Sequence, residues 1–286
     1  MADIKAAMVK DLRERTGLGM MDCKKALVEA NGDTELAIEN LRKSSGMKAA
    51  KKAGRTAADG LIGCKIEGGV AAMVEVNCET DFAGRDSNFL GFVETVTNAV
   101  FDAKQTDIEA LLASGIESVR ETLVQKIGEN VSVRRAAVLE GTATGVVASY
   151  VHTNGKIGVL VKLEGGDEAL GRDIAMHVAA ANPQVVSGAD VDQDVIAKER
   201  EIYSAQAVDS GKPPEIIEKM VEGRIRKFLA EISLVEQAFV KDPDIKVGAL
   251  LKKADATVVE FARFEVGEGI EVEQVDFAAE VAQQLS

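Results

Sequence analysis

The sequence predicts an α+β fold, on three observations. Apolar residues recur at helical spacing through the first 45 residues, and at period two from Gly60 onward. From Gly60 the order hairpin, helices, strand occurs twice. A polar stretch at about 190–232 reads as two helices set into the second occurrence. At 286 residues the chain is long enough for two or three domains, and its 46% hydrophobic content is ample for real cores despite only 4% aromatics and no Trp.

Residues 2–45 read as three short helices joined by tight loops. Ile4, Met8 and Leu12 share one face of the first, which Gly17 stops. Asp22 is placed to cap the second and Asp33 the third. Leu12, Ala26, Leu27, Ala37, Ile38 and Leu41 are the predicted core of this bundle. Residues 46–58, "GMKAAKKAGRTAA", read as a helix tail entering a linker.

"GLIGCKIEGGVAAMVEVNC" then reads as two strands about a Gly68-Gly69 turn. After "TDFAGRD" come an amphipathic helix, "SNFLGFVETVTNAV", and the helices "DIEALLAS" and "SVRETLVQKIG". The strand "NVSVRRAAVLEG" closes the first occurrence. In the second, "TGVVASYVHTNGKIGVLVKLEGG" is a hairpin about Asn154-Gly155, "GRDIAMHVAAANP" a helix, and "ATVVEFARFEVGEGIE" strand-like. Gly-Arg-Asp at 84–86 and 171–173 sits between hairpin and helix in both, which points to two related subdomains. In the long insertion Gly211 ends one helix and the prolines of "DSGKPP" open the next. This makes an antiparallel helical hairpin that should protrude. The domain division is therefore 1–55 (three-helix head plus linker), 56–141 (first α+β subdomain) and 142–286 (second α+β subdomain carrying the hairpin).

The formal net charge of −13 disfavours nucleic acid and anionic membranes as direct partners. It is uneven: residues 1–59 carry 12 Lys and Arg against 9 Asp and Glu, a net +3, which leaves −16 for the rest. A basic head on an acidic body suggests that the two meet different surfaces. The N-terminal stretch lacks the apolar run of a signal peptide and no segment approaches a membrane span, so a cytoplasmic location is predicted. Cys23, Cys64 and Cys78 read as reduced, buried residues.

Catalytic chemistry is hard to find. There is no phosphate loop and no dinucleotide fingerprint. The two histidines, His152 and His177, have no metal-ligand spacing around them. His177 on the apolar face of "IAMHVAA" reads as packed and hydrogen-bonded, and His152, before a hairpin turn, as exposed. No cofactor or metal is predicted, and a binding or regulatory protein is favoured over an enzyme.

Two stretches remain. Met20 and Met21 are either core filling, at least in part, or an adaptable contact surface with Arg13, Arg15 and Lys24 as a basic rim. In "EVNCETDFAGR", Phe82 is either an anchor beneath its own helix, with Asp81 capping a loop N–H, or a projecting wedge. Composition alone favours the anchor.

"LRERTGLGMMDCKKAL" at 12–27 and "EVNCETDF" at 75–82 resemble the signature stretches of the bacterial elongation factor Ts family. The resemblance continues through "KIGENVSVRR", "IAMHVAA", "EKMVEGR" and "RFEVGEGIE" to "DFAAEVA". It implies a guanine-nucleotide exchange factor for elongation factor Tu, without covalent chemistry. It implies a ubiquitin-associated-like head, a two-part α+β core and a helical hairpin. It implies that Thr80, Asp81, Phe82 and Ala83 form a wedge that enters the GTPase near its magnesium. Arg13, Met20, Met21 and Lys24 would grip the nucleotide domain, and Ile127 and Gly128 would back the wedge. His152 and Val240, the latter in "AFVKDP", would contact the partner from the core. The partner would be met in its GDP-bound and nucleotide-free forms, and a dimer of heterodimers is left open. Ala83-Gly84 and Lys241 depart from the family pattern, which has Val and a small residue after Phe and, in some relatives, an apolar residue at 241. A structural or chaperone-like interaction module is the alternative reading.

Overall fold

The computed structural model describes residues 4–208 and 213–271. Helix and sheet are mixed, and the residues divide into two compact units. One holds the residues up to 63, 74–136 and those from 265 on. The other holds 64–73 and 137–264.

The first unit opens with α1 (Ala6–Thr16), α2 (Met20–Glu29) and α3 (Thr34–Lys52). Leu12, Leu27, Ala37 and Leu41 meet Val9, Leu18, Cys23, Ala26 and Ala30 in a small core, with Ile38 half-buried against it. Gly17 ends α1 and the Asp33 carboxylate caps α3 by accepting from Leu36 N–H, as the spacing predicts. Asp22 does not cap α2. The helix begins three residues earlier, at Met20 behind Gly19, because Met20 and Met21 are good helix formers and extend it, and Asp22 lies in its first turn. The third helix also runs further than its apolar pattern, to Lys52. The run after Gly46 is rich in Ala, Lys and Met, and Ala49 is buried.

A three-stranded sheet follows, in the order β1 (Asp59–Glu67), β2 (Val70–Cys78), β3 (Val131–Glu140). Gly68 and Gly69 turn the hairpin with φ of 58° and 77°, the paired left-handed geometry that a tight two-residue turn demands. The central strand β2 is buried along nearly its whole length. Next come the single turn α4 (Asp81–Gly84) and α5 (Ser87–Ala103), which buries Phe89, Phe92, Val93, Val96 and Val100 on one stripe. Then α6 (Ile108–Leu111) passes through a wide turn containing Gly115 into α7 (Glu117–Ile127).

The second unit carries β4 (Gly145–Val151), β5 (Ile157–Glu164) and, after a long excursion, β8 (Thr257–Glu265), in the order β4-β5-β8. The hairpin is antiparallel, with Gly145 opposite Glu164 and Val151 opposite Gly158. In both sheets the second strand of the hairpin is therefore central. Between β5 and β8 lie α8 (Glu168–Ala181), α9 (Gln193–Val208), α10 (Pro214–Ile232), the small β6 (Ala238–Phe239) and β7 (Asp242–Lys246), and α11 (Val247–Lys253). Val159, Val161, Leu163, Ile174, Val178, Leu234, Phe239 and Leu251 form the core.

Helices α9 and α10 pack together, with Arg224 stacked 5.6 Å from the Tyr203 ring centre and bonded to Gln206. Their root is closed where Leu234 N–H meets Val185 O at 2.9 Å and Gln184 N–H meets Ile232 O at 2.8 Å. Pro213 and Pro214 open α10. Gly211, and the "DFAAEVA" stretch, lie outside the described residues. The Gly-Arg-Asp triplets are not conformational equivalents. Arg85 and Asp86 link two helices, whereas Gly171-Arg172-Asp173 lies inside α8, which starts upstream at Glu168 under the Asp167 cap. The β6–β7 ribbon and α11 are absent from the sequence reading. Among the described residues no helix is long and apolar enough to cross a membrane.

Candidate functional site

The stretch after β2 is built from the strand upward. Glu75 is fully buried in β2. It accepts from Arg134 at 3.0 Å, Arg135 at 2.5 Å, Asn77 at 3.0 Å and the Gly267 N–H at 2.9 Å. Burial opposes its ionisation, but these donors outweigh burial and hold its pKa below the usual carboxylate value. The same two arginines reach the backbone carbonyls of Glu265 and Glu268, so the strand beneath the loop is fixed by charge.

Beyond Cys78 the chain turns. Thr80 caps α4, its hydroxyl accepting from Ala83 N–H at 3.3 Å. Ala83 and Gly84 face inward and are buried, while the Phe82 ring faces outward and is 79% exposed. The anchor reading is thereby overturned: the inward positions of this single turn go to the smallest residues, and the ring takes the outer one. Asp81 caps nothing. It pairs with Arg85 at 2.8 Å one turn on, an exposed pair of the kind worth a few tenths of a kcal/mol (~0.3) that another partner displaces at little cost.

The loop after α7 lies against this turn. Gly128, φ 86°, ends the helix in the left-handed conformation that glycine adopts without strain. Glu129 and Asn130 then bond to Glu79 and Thr80. Asn130 also donates to Arg55 O at 2.8 Å, and Lys52 Nζ donates to Gly128 O, so the exit of α3 is tied to the same loop. The structure thus brings Thr80–Ala83 and Ile127–Gly128 together. The sequence reading missed Glu79, Glu129 and Asn130, and a run of polar residues at a helix exit gives little signal of a partner some 50 positions away.

In the head, Met20 is 46% and Met21 76% exposed, so neither fills the core. The cause is the early start of α2, which turns both outward while Cys23, Ala26 and Leu27 face the bundle. Lys24 lies one turn from Met20, and Arg13 in the last turn of α1, both exposed.

In the second unit His152 is exposed, its ring bonded to Asn154. Val240, 45% exposed, tips the β6–β7 ribbon. Its N–H donates to Nδ1 of the buried His177 at 3.1 Å, and Nε2 of that ring bonds to Gln237 at 3.0 Å. Burial lowers the pKa of His177 and favours the neutral ring, which the accepting Nδ1 requires. Lys241 pairs with Asp173 at 2.5 Å, so this departure from the family pattern serves to fasten the ribbon to α8.

What these elements define is a mixed helix-and-sheet protein that presents exposed apolar and basic side chains; among the described residues no group of His, Cys, Asp or Glu is placed to hold a metal. A family profile described as Elongation factor TS matches residues 79–268. Proteins named Elongation factor Ts from Hahella chejuensis, Saccharophagus degradans and Marinobacter nauticus are 66%, 59% and 60% identical to the chain, each covering 99–100% of it and 97–99% of their own length. The chain belongs to the elongation factor Ts family, whose members are translation elongation factors of protein biosynthesis.

Proposed function

We propose that the chain is a cytoplasmic guanine-nucleotide exchange factor for elongation factor Tu and performs no covalent chemistry. It binds the GDP-bound GTPase, and the Asp81-Phe82 turn enters near the partner's magnesium. That ion supplies much of the positive charge that holds the nucleotide, so disturbing its support weakens both. The factor must bind the nucleotide-free partner more tightly than the loaded one, and by reciprocity GTP rebinding displaces it.

In this reading Arg13, Met20, Met21 and Lys24 hold the nucleotide domain. Ile127 and Gly128 back the turn, and His152 and Val240 meet the partner from the second unit. The working division remains a ubiquitin-associated-like head with linker at 1–55 and two related subdomains at 56–141 and 142–286, with the helical hairpin left to pair between copies or to reach the partner.

The observation that carries the reading is the exposure of Phe82, at 79%, on a turn anchored through Thr80. An aromatic ring held in water by a rigid support is suited to filling a partner's pocket, worth ~2–4 kcal/mol there. The test is stopped-flow release of labelled GDP from elongation factor Tu. The wild-type protein accelerates release, and Phe82→Ala loses most of the acceleration, on the order of 30-fold or more. Equal release with and without the wild-type protein would refute the function, and full activity of Phe82→Ala would refute the wedge.

A further inference from the structure

We propose that Glu129 is the positioning residue for the Asp81-Phe82 turn. Its Oε2 accepts from the backbone N–H groups of both Glu79 and Thr80, each at 3.0 Å, and its Oε1 accepts from the Thr80 hydroxyl at 2.7 Å. The last bond sets more than a distance. It commits the Thr80 hydroxyl proton to Glu129, which leaves a lone pair of the same oxygen directed at Ala83 N–H, the cap of α4. The orientation of the turn bearing Phe82 is thus relayed from a carboxylate 49 positions away.

The clamp is reciprocal. Glu79 Oε1 accepts from Asn130 N–H at 2.5 Å, so the two segments hold each other through backbone donors. Glu129 has no ion pair among the described residues, and its acceptor sites are turned on two N–H groups and one hydroxyl. Bonds to an ionised acceptor are about twice as strong as neutral ones, and a backbone held by them keeps one geometry. A projecting ring needs this, because a wedge on a loose turn spends its binding energy on ordering the turn.

This inference rests on the wedge role proposed for Phe82, and a crossed pair of substitutions separates the two. Labelled-GDP release from elongation factor Tu is measured with Glu129→Ala, Glu129→Gln, Phe82→Ala and the double variant Phe82→Ala with Glu129→Ala, with thermal unfolding of each in parallel. Glu129→Ala is expected to lose about tenfold of the acceleration, the scale of one or two charge-assisted hydrogen bonds. Glu129→Gln, whose amide oxygen still accepts from the two N–H groups, restores most of it. The double variant is no slower than Phe82→Ala alone, because a residue that acts through the ring has nothing left to act on.

If the losses multiply, or Glu129→Ala exchanges like wild type while Phe82→Ala is impaired, the positioning role is overturned and the wedge survives. If Phe82→Ala exchanges like wild type, both fall together. Should Glu129→Ala unfold, Thr80→Val, which removes the hydroxyl through which Glu129 reaches Ala83 N–H, and its cross with Phe82→Ala decide by the same non-additivity.

Discussion

Two connections in the molecule do the same topological task differently. Each leads from the central strand of a three-stranded sheet into a helix. The first, 79–86, inserts an extra turn that exposes Phe82 and recruits Glu129 to hold it. The second, 165–167, has two glycines at φ of 71° and 72° followed by the Asp167 cap, and α8 starts at once. A Cβ on Gly165 would lie 2.2 Å from Asp255 O, so this connection is closed onto its own unit. One slot is spent on packing and the other on a projecting contact. The difference lies in long-range support: an exposed turn persists only if residues elsewhere in the chain over-determine it.

The largest expected effect tests that support at its foundation. Glu75→Gln leaves Arg134 and Arg135 facing a neutral group in a buried position. Removing one partner of a buried ion cluster costs about 3 kcal/mol or more, read as a fall in the urea midpoint without a change in slope. A shift under about 1 kcal/mol would mean that the strand beneath the first connection needs no charge to hold it.

Next in size is Gly165→Ala. Both the positive φ and the contact with Asp255 oppose a side chain, and the expected loss is about 2 kcal/mol. A neutral result in thermal unfolding would erase the contrast between the two connections.

His177→Asn sharpens the account of the second unit. Loss of the bond to Gln237 costs about 1 kcal/mol at pH 7.5. A histidine held below its ordinary value is protonated in the unfolded chain before the folded one. Its contribution is therefore full above about pH 6.5 and is lost as pH falls through the folded value. The wild-type stability curve should fall between pH 7 and 5 more steeply than that of the variant, and parallel curves would contradict it.

Much of this was legible in the sequence because it depends on local pattern. The head core from Leu12 to Leu41, the Gly68-Gly69 turn, the stripe of α5 and the prolines before α10 all follow from spacing and backbone preference over a few residues. The misreadings share a cause, which is that an outcome decided by distant residues leaves no local mark. Asp22 is a good cap in composition, yet the helix starts earlier. Phe82 is apolar, yet the inward positions of its turn are occupied by Ala83 and Gly84. Glu75, alternating with apolar neighbours in a strand, gives no hint of the two arginines some 60 positions on that allow its burial. The resemblance of "EVNCETDF" to a family signature placed the turn, and the geometry alone supplied Glu129.

The smallest expected effect concerns Gly84, one of the two departures from the family pattern after Phe82. A Cβ there would lie 3.6 Å from Asp59 Oδ1 and 3.7 Å from Cys78 Sγ, ordinary contacts, and Gly84 has none of the positive φ found at Gly165. Gly84→Ala should therefore change stability by no more than about 0.5–1 kcal/mol, in the stabilising direction, because alanine restricts the unfolded chain and suits a helical turn. Labelled-GDP release should be unchanged, since the hold on the turn runs through Thr80 and Glu129 and not through residue 84. Loss of exchange with stability intact would mean that the turn is positioned from its far end. The contrast between the two connections would then lie in the glycines of both, not in the carboxylate that only the first recruits.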